Sequence, residues 1–422
     1  MGKKTIHSVA FLLSSALIMS SSAAVQAPFE IGTWGNFCKA AVSQTFDDNT
    51  NGQTGAGQEA FDAKGFKMTI FTSQAFGPDW NKLKSAFAKG HEIASHSVTH
   101  SQNMPDAECP TSQNAVREKV PGEMCVTIAY PYCNIPNPQT QLKKCYIAGR
   151  ICDNQIANKS PSDMYKISAI IAGNAGVNNS SSFNSKADEA ASKNGWLVWL
   201  HHGVGNDGHG YSNTDLNALK GHLDYLDANR DKFWTETFGN VARYIKERDA
   251  ASLTVETSTD NLIKVKLTDN LVDSIYNYPL SIRFPLPEGW DENNVRITQD
   301  GEDVEDSIVT VNSKKYVMFK AVPDNGDIII ENGTMVRKNV LTLVSQNRLV
   351  LNKSILSFNV DNFSGPVVQA TLFDLKGKLI GKYSVNKSGS SVSIPVQTLS
   401  NSAVLVKITD GNTTVVSRCL AQ

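Results

Sequence analysis

Over the first 250 residues, short β-rich runs alternate with helical patterns such as evenly spaced leucines; beyond that, apolar and polar positions alternate along short strands. The runs Ala40–Phe46, Lys67–Phe71, His91–Ala94, Val126–Tyr130 and Trp196–Leu200 predict strands buried on both faces. Between them, Asp79 is placed to cap a helix through Lys89, and Leu216, Leu219, Leu223 and Leu226 recur at helical spacing. A last helix is predicted from about Phe238 to Arg248. This is the pattern of βα units around a parallel sheet. From Ala251 the segments 253–257, 263–267, 281–284 and 327–330 read as half-buried strands separated by turn residues, and a second such block runs from near Val336 to the end. The expectation is one α/β domain over residues 28–250, then small all-β sandwich modules over 251–333 and 334–422.

The chain start changes the picture of where the protein works. Lys3 and Lys4 precede the apolar stretch Val9–Met19, and small residues follow to Ala27. Residues 1–27 read as a secretory signal peptide cleaved near Ala24 or Ala27, too short and too rich in serine to span a membrane. No later segment is apolar enough to span, so a soluble, secreted, extracellular or cell-surface protein is expected. Six of the seven cysteines (Cys38, Cys109, Cys125, Cys133, Cys145, Cys152) fall before residue 153. In an exported domain these suggest disulfides, with Cys109–Cys125 and Cys145–Cys152 the pairs nearest in sequence. No CxxC pair supports a cysteine zinc site, and Cys419 is left over. Forty basic against 41 acidic residues leave a formal charge of −1, which argues against nucleic acid as a partner.

Four groups of residues carry candidate chemistry. Asp47-Asp48 ends the first long strand, where paired carboxylates can divide metal binding from base duty or simply cap a turn. His96 and His100 follow a short strand, and their i, i+4 spacing predicts two imidazoles on one face of a helical turn. With a carboxylate they make a three-ligand site with open positions. Pro131 and Tyr132 close another strand and can form a pocket wall that turns a backbone N–H inward, and His201-His202 ends the strand 196–200.

Taken together, these motifs resemble the polysaccharide deacetylase family, the NodB-homology domain of carbohydrate esterase family 4, over roughly Thr33–Arg248. The family fold implies that the α/β domain is a distorted (β/α) barrel. Thr45-Phe46-Asp47-Asp48 is similar to the family's T-F-D-D, which implies Asp47 as base and Asp48 as metal ligand. His96-Ser97-Val98-Thr99-His100 is similar to H-S/T-x-x-H, implying His96 and His100 as the other ligands. Leu200-His201-His202 fits L-x-H, implying His202 as acid, with His201 as its nearest competitor. The implied cofactor is a divalent metal, zinc first, with cobalt or nickel as alternatives. The implied reaction is removal of acetyl groups from an acetylated polysaccharide, O-acetyl xylan or N-acetylglucosamine polymers, by metal-activated water, the Tyr132 N–H helping to hold the oxyanion.

Two departures stand out. The arginine of the family's R-P-P-Y motif, which tethers the base, falls on Ala129, while Pro131 and Tyr132 remain. Arg150 is the candidate to reach the same carboxylate from a neighbouring strand, or else is a surface arginine. The D-x-x-D-W motif is not recognisable, leaving the group that orients His202 unassigned. Trp80, Trp196, Trp199 and Tyr211 are sugar-stacking candidates, Tyr211 foremost because it lies in the polar loop 203–212 with His209. Residues 251–333 are expected to be an immunoglobulin-like spacer or a binding module, the latter weakened by a single tryptophan, Trp290. The last block, with residues 372–379 and 404–408, resembles C-terminal sorting domains of type IX secretion and implies secretion machinery as a partner. The competing function is a catalytically impaired carbohydrate-binding or adhesive protein retaining the fold, which Ala129 favours.

Overall fold

Strands that a parallel sheet covers on both faces are rich in apolar side chains, and the β-rich runs of the first half form such strands, with Ser43, Gln44 and Thr45 buried among them. In the computed structural model the chain passes through β1 (Glu30–Ile31), β2 (Ala40–Asp47), α1 (Gln58–Asp62), β3 (Thr69–Thr72), α2 (Trp80–Ala88), β4 (Glu92–Ser95) and α3 (Glu108–Lys119). It continues through β5 (Thr127–Ala129), α4 (Leu142–Cys145), β6 (Ala148–Arg150), β7 (Ile170–Ile171), α5 (Ser180–Ser192), β8 (Trp196–His201), α6 (Leu216–Ala228), β9 (Phe233–Thr235) and α7 (Phe238–Ala250). The structure describes residues 29–208, 211–333, 339–340, 350–352, 355–360, 363–374, 379–387, 391–395, 403–410 and 413–420. The expected signal peptide and His209 lie outside the described residues.

The sheet order is β6-β5-β4-β3-β2-β8-β7, with β9 also pairing β2, and its pairings are parallel. Leading into β7, Ile167 N donates to Gly149 O at 2.9 Å and Ala169 N to Ile151 O at 3.1 Å. Hydrogen bonds therefore run from β6 back to β8, curling the sheet into the distorted (β/α) barrel that was expected. Every residue of β2 and β8 is buried. The helices lay apolar faces on the sheet, α6 through Leu219, Leu223 and Leu226. Their starts follow local chemistry: Asp79 Oδ1 accepts the Asn81 and Lys82 N–H groups at 3.1 and 3.2 Å, and Asp215 Oδ1 that of Ala218 at 2.7 Å.

Residues 252–332 form two facing antiparallel sheets. Their strands are β10 (Ser252–Ser258), β11 (Leu262–Thr268), β12 (Leu280–Pro285), β13 (Val295–Gln299), β14 (Glu302–Asp303), β15 (Asp306–Val311), β16 (Lys314–Ala321) and β17 (Ile328–Asn332). One sheet runs β1-β12-β16-β15 and the other β10-β11-β17-β13-β14, around a core that includes Val265, Phe284, Ile297 and Ile330. The sandwich is joined to the barrel rather than strung from it. β1, which precedes the barrel, is its edge strand, and Glu30 there pairs with Arg283 at 2.6 Å. Arg243 Nε of α7 donates to Ile275 O at 3.0 Å, and Tyr278 Oη to Glu236 Oε2 at 3.0 Å. Barrel and sandwich together make one compact unit that ends at Gly333.

Glu247 sits at this junction, fully buried. Its Oε1 accepts the Tyr278 N–H at 2.8 Å, while Oε2 has no hydrogen-bond partner. Burial, with Asp269 adding repulsion, pushes its carboxyl up to about 8 against the Tyr278 hydrogen bond. A folded pKa above the unfolded one gives stability that is complete at low pH and lost as pH rises through about 8. Glu247→Gln is therefore expected to raise Tm by several degrees at pH 9 and to leave it almost unchanged at pH 5, as differential scanning calorimetry would show.

The unit beyond Gly333 is all-β among the described residues. It contains β18 (Asn339–Val340), β19 (Val350–Asn352), β20 (Ile355–Asn359), β21 (Val367–Asp374), β22 (Leu379–Asn386), β23 (Ser391–Pro395), β24 (Ala403–Thr409) and β25 (Thr413–Leu420). These form a β18-β25-β24-β21-β22 sheet and a β19-β20-β23 sheet around Phe358, Val368, Leu372 and Ile394. Residues 375–378 of the sorting-like motif lie outside the described residues.

Candidate active site

Parallel strands deliver their C-terminal residues to one rim of a barrel, and that rim collects the candidate residues. β2 ends in Asp47 and is followed by Asp48, held at φ 74°. His96 and His100 follow β4, Pro131 and Tyr132 follow β5, Arg150 ends β6, and His202 follows β8.

The Asp48 carboxylate lies between imidazoles: Oδ1 is 3.5 Å from His96 Nε2 and 3.4 Å from His100 Nε2, and Oδ2 is 3.8 Å from His202 Nε2. Ligands about 2.0–2.2 Å from a tetrahedral zinc lie roughly 3.3–3.6 Å from one another, so the two Asp48 distances suit one ion. All three donor atoms of Asp48, His96 and His100 fall within 4.8 Å of each other. His96 Nδ1 donates to Ala129 O at 2.8 Å, which fixes the tautomer and leaves Nε2 as the lone-pair nitrogen facing Asp48. The residues fit a divalent metal of the zinc, cobalt or nickel kind.

The helical turn expected for this histidine pair does not form. Residues 96–100 make an irregular loop with Ser97 at φ 70° and His100 at φ 52°. Backbone reversal at these positions, rather than i, i+4 spacing on a helix, brings the two rings to 4.9 Å.

Asp47 and Arg150 form the second half of the site. Arg150 Nη2 donates to Asp47 Oδ2 at 2.6 Å and Nη1 to Oδ1 at 3.1 Å, a two-pronged pair with both side chains about 3% exposed or less. Nη1 also donates to Thr45 Oγ1 at 3.2 Å, and the guanidinium lies 5.3 Å from the Phe71 ring. Arg150 is thus buried and not on the surface; it reaches from β6 the carboxylate that the family's arginine reaches from the position of Ala129. Asp47 Oδ2 is 3.6 Å from His96 Nε2, which places the carboxylate beside the metal donors.

Burial pushes the Asp48 carboxyl up, but the hydrogen bond and charge of His96, with His202 and His100, outweigh it and hold the group at about 2. For His96, burial is overcome by the Asp47 and Asp48 carboxylates, which raise its imidazole. For His100, burial and the neighbouring His96 lower it. Burial also brings His202 down to about 4 despite the pull of Asp47 and Asp48. His201 is separated from all this. It is fully buried, its Nε2 donates to Gln44 Oε1 at 2.8 Å, its Nδ1 accepts from Thr214 Oγ1 at 2.9 Å, and its ring stacks on Phe46 at 4.6 Å. Burial holds it neutral, well below the ordinary histidine range.

The aromatic candidates divide. Trp199 and Trp196 are fully buried, Trp199 edge-on to Phe183 at 4.6 Å, so neither can stack on substrate; their positions on β8 point into the layers that cover the sheet. Trp80 packs against the core at the start of α2. Tyr211 is half exposed and stands edge-on to His202 at 4.8 Å. Tyr132 is 63% exposed and lies 5.1 Å from the His100 ring, and Phe76, which the sequence did not single out, is 46% exposed at 4.8 Å from the same ring. These three are the exposed aromatic side chains among the described residues, and each lies against His100 or His202.

The disulfide pairing differs from expectation. Cys133 pairs with Cys152, while Cys38, Cys109, Cys125 and Cys145 are free. Nearness in sequence misled, because β5 and β6 are parallel neighbours and bring Cys133 and Cys152, just past their C-terminal ends, to a Cα separation of 5.7 Å. The bridge ties the Tyr132 loop to the strand that carries Arg150.

Further polar residues hold the rim together. Gln53 Nε2 donates to Asp47 O and, at 2.9 Å, to His202 O, linking the ends of β2 and β8. Asp207 Oδ2 accepts from Thr50 Oγ1 at 2.6 Å and from Val204 N at 3.0 Å. Neither stood out in the sequence, since polar residues in loops carry no periodic signal; only the place of Asp207 in the loop 203–212 hinted at it.

With this geometry in view, comparison with known proteins gives a direction. Residues 35–144 match the family described as polysaccharide deacetylase. The matched stretch holds Asp47, Asp48, His96, His100 and Tyr132, while Arg150 and His202 lie beyond it. A gellan lyase of Bacillus sp. is 27% identical over 333 residues, which is 71% of this chain and 13% of that protein. The chain therefore spans a small part of that relative, but a match of this length has to extend past the barrel into the sandwich. Among solved structures, a peptidoglycan deacetylase of Bacillus subtilis is 14% identical, covering 50% of this chain and 92% of that one, with a TM-score of 0.36. The Xyl-CE4 domain of a multidomain xylanase from the hindgut metagenome of Trinervitermes trinervoides is 19% identical, covering 50% and 91%, with a TM-score of 0.34.

Proposed function

We propose that the chain is an exported, metal-dependent hydrolase that removes acetyl groups from a polysaccharide, either O-acetyl xylan or an N-acetylglucosamine polymer. The observation that carries this reading is a buried carboxylate gripped by Arg150 immediately beside the Asp48–His96–His100 donor triangle. Such a pairing places a base where it can work on a water next to a cation.

A divalent ion held by these three residues would supply a Lewis acid for the acetyl carbonyl and acidify water. Asp47, fixed by Arg150, takes the proton of the attacking water. The Tyr132 backbone N–H stabilises the oxyanion of the tetrahedral intermediate. As that collapses, the acetyl C–O or C–N bond breaks, acetate departs, and the sugar oxygen or nitrogen takes a proton from His202. Because His202 is held neutral in the resting site, it must first gain a proton; the one Asp47 takes from the attacking water is its source, and the imidazolium so formed passes it to the leaving oxygen or nitrogen, which balances the reaction.

The exposed rings of Phe76, Tyr132 and Tyr211 suit the apolar faces of pyranose rings. Ala129 favoured an impaired binding protein, but that argument loses force because Arg150 supplies a guanidinium to Asp47. Export is supported by the signal-like residues 1–27 and by the Cys133–Cys152 bridge, which belongs to oxidising compartments. The sorting role of the C-terminal unit rests on its sequence pattern.

Acetate release from acetylated xylan and acetylated chitooligosaccharides, with and without a chelator, tests the proposal. No release from any acetylated glycan by metal-loaded protein would sink it. The aromatic rim gives a second expected outcome. Phe76→Ala combined with Tyr211→Ala should lower kcat/KM on a hexasaccharide about tenfold while leaving hydrolysis of a small acetyl ester nearly unchanged, as parallel kinetics on the two substrates would show.

A further inference from the structure

The loop between the two histidine ligands has to be held in a shape that its sequence does not favour. Ser97 and His100 both occupy the left-handed region, which non-glycine residues avoid. No helix or strand hydrogen bonds support this stretch. Instead, four successive backbone N–H groups donate to side-chain oxygens. Ser97 N donates to Ser95 Oγ at 3.3 Å, Val98 N and Thr99 N both to Glu108 Oε2 at 2.9 Å, and His100 N to Ser97 Oγ at 2.9 Å. The Thr99 hydroxyl adds a bond to Glu108 Oε1 at 2.6 Å. One carboxylate therefore accepts three of the five bonds that define the loop.

Glu108 is well placed to act as a fixed point. It is the first residue of α3, a 12-residue helix that is tied to β4 by the contact of Ser112 Oγ with Ser95 Oγ at 2.7 Å. The two ligands depend on this anchor unequally. His96 follows β4 directly, is buried, and has its ring fixed by Ala129 O. His100 lies at the far end of the loop, 16% exposed, with the exposed rings of Phe76 and Tyr132 and the His96 ring about it and Asp48 Oδ1 3.4 Å from its Nε2. Its own N–H is held by Ser97 Oγ, and the two residues before it are held by Glu108.

We propose that Glu108 is a positioning residue for the metal: it captures the Val98 and Thr99 N–H groups and so presets His100 Nε2 opposite His96 Nε2 around Asp48 Oδ1. This rests on the reading of Asp48, His96 and His100 as a metal site. Preorganisation of this kind spares the ion the work of ordering a ligand loop, and outer-shell residues of metal sites alter affinity by about 10–100-fold when replaced.

The test is titration of the metal-stripped full chain with Co2+, followed by visible absorption, on the unaltered protein and on E108A, E108Q, H100A and the E108A/H100A pair. E108A should weaken Co2+ binding about 10–100-fold, and E108Q, which keeps one carbonyl acceptor, should recover part of the loss. The Tm of the metal-free protein should change little. If Glu108 acts through His100, adding E108A to H100A should cost no further affinity, a non-additivity that general loss of stability would not produce. Co2+ affinity of E108A within twofold of the unaltered protein, or an E108A effect that persists undiminished in the H100A background, would overturn the proposal. Absence of Co2+ binding by the unaltered protein would instead remove the metal site itself, and the role of Glu108 with it.

Discussion

Arg150→Met is expected to destabilise the barrel by about 3–5 kcal/mol, the cost of stripping a buried ion pair of one partner, and to reduce acetate release to near background. Both side chains of the pair are almost wholly buried, and the guanidinium covers both oxygens of Asp47. Methionine fills similar volume but leaves the buried carboxylate without its guanidinium partner. Such a group either takes up a proton, and ceases to be a base, or drives local opening. Arg150→Lys should recover only part of either loss, because an ammonium cannot make the two-pronged contact. The double variant Asp47→Asn with Arg150→Met separates the two effects. It removes the orphaned charge, so its Tm should recover well above that of Arg150→Met, while acetate release stays absent. Thermal unfolding and acetate assays on the unaltered protein, Asp47→Asn, Arg150→Met and the double variant form a complete cycle, and a double variant no more stable than Arg150→Met would contradict the ion-pair argument.

How much of this could be read from sequence depended on whether the relevant contact was local. The strands of the barrel were legible from short β-rich runs between helix-spaced leucines, and β2 and β8 are buried over their whole length, although Ser43, Gln44, Thr45 and Asp47 make half of β2 polar. The helix start at Asp79 was legible because its bonds reach only two and three residues along the chain. The identities of Asp47, Asp48, His96 and His100 were legible as motif residues, but the conformation joining the histidines was not. Spacing of four suggested a helix, and the left-handed Ser97 and His100 are stabilised by Glu108, whose place at a helix start reads simply as a charge complementing the helix dipole. Arg150 was legible only as a candidate, because its partner is 103 residues away and the pairing depends on the order of strands in the sheet. The Cys133–Cys152 bridge and the joining of β1 to the sandwich belong to the same class. Trp199 misled for the opposite reason: an aromatic at a strand end next to the catalytic motif is still assigned by the alternation of side chains, and that places it in the core.

The two adjacent aspartates should respond to the same substitution in opposite ways. Asp48→Asn is expected to lose the metal, with bound zinc falling well below one per chain by elemental analysis. Asp47→Asn should keep its metal and still lose acetate release by about 10²–10⁴-fold, the usual contribution of a general base. The reason is geometric. Asp48 Oδ1 lies 3.4 and 3.5 Å from the two histidine nitrogens and so completes the donor triangle, and His96 and His100 alone would leave an ion two ligands short of a closed shell. Asp47 is turned the other way: its nearest cation is Arg150 at 2.6 Å, and its distance to His96 Nε2 is 3.6 Å. An amide at position 47 can still accept one bond from the guanidinium, which offsets part of the cost of leaving Arg150 without a counter-charge, so this variant should be less stable yet keep its metal while losing its ability to take a proton. An Asp48→Asn protein with full metal content would refute the ligand set, and an active Asp47→Asn protein would refute the base. The two failures would point to different residues.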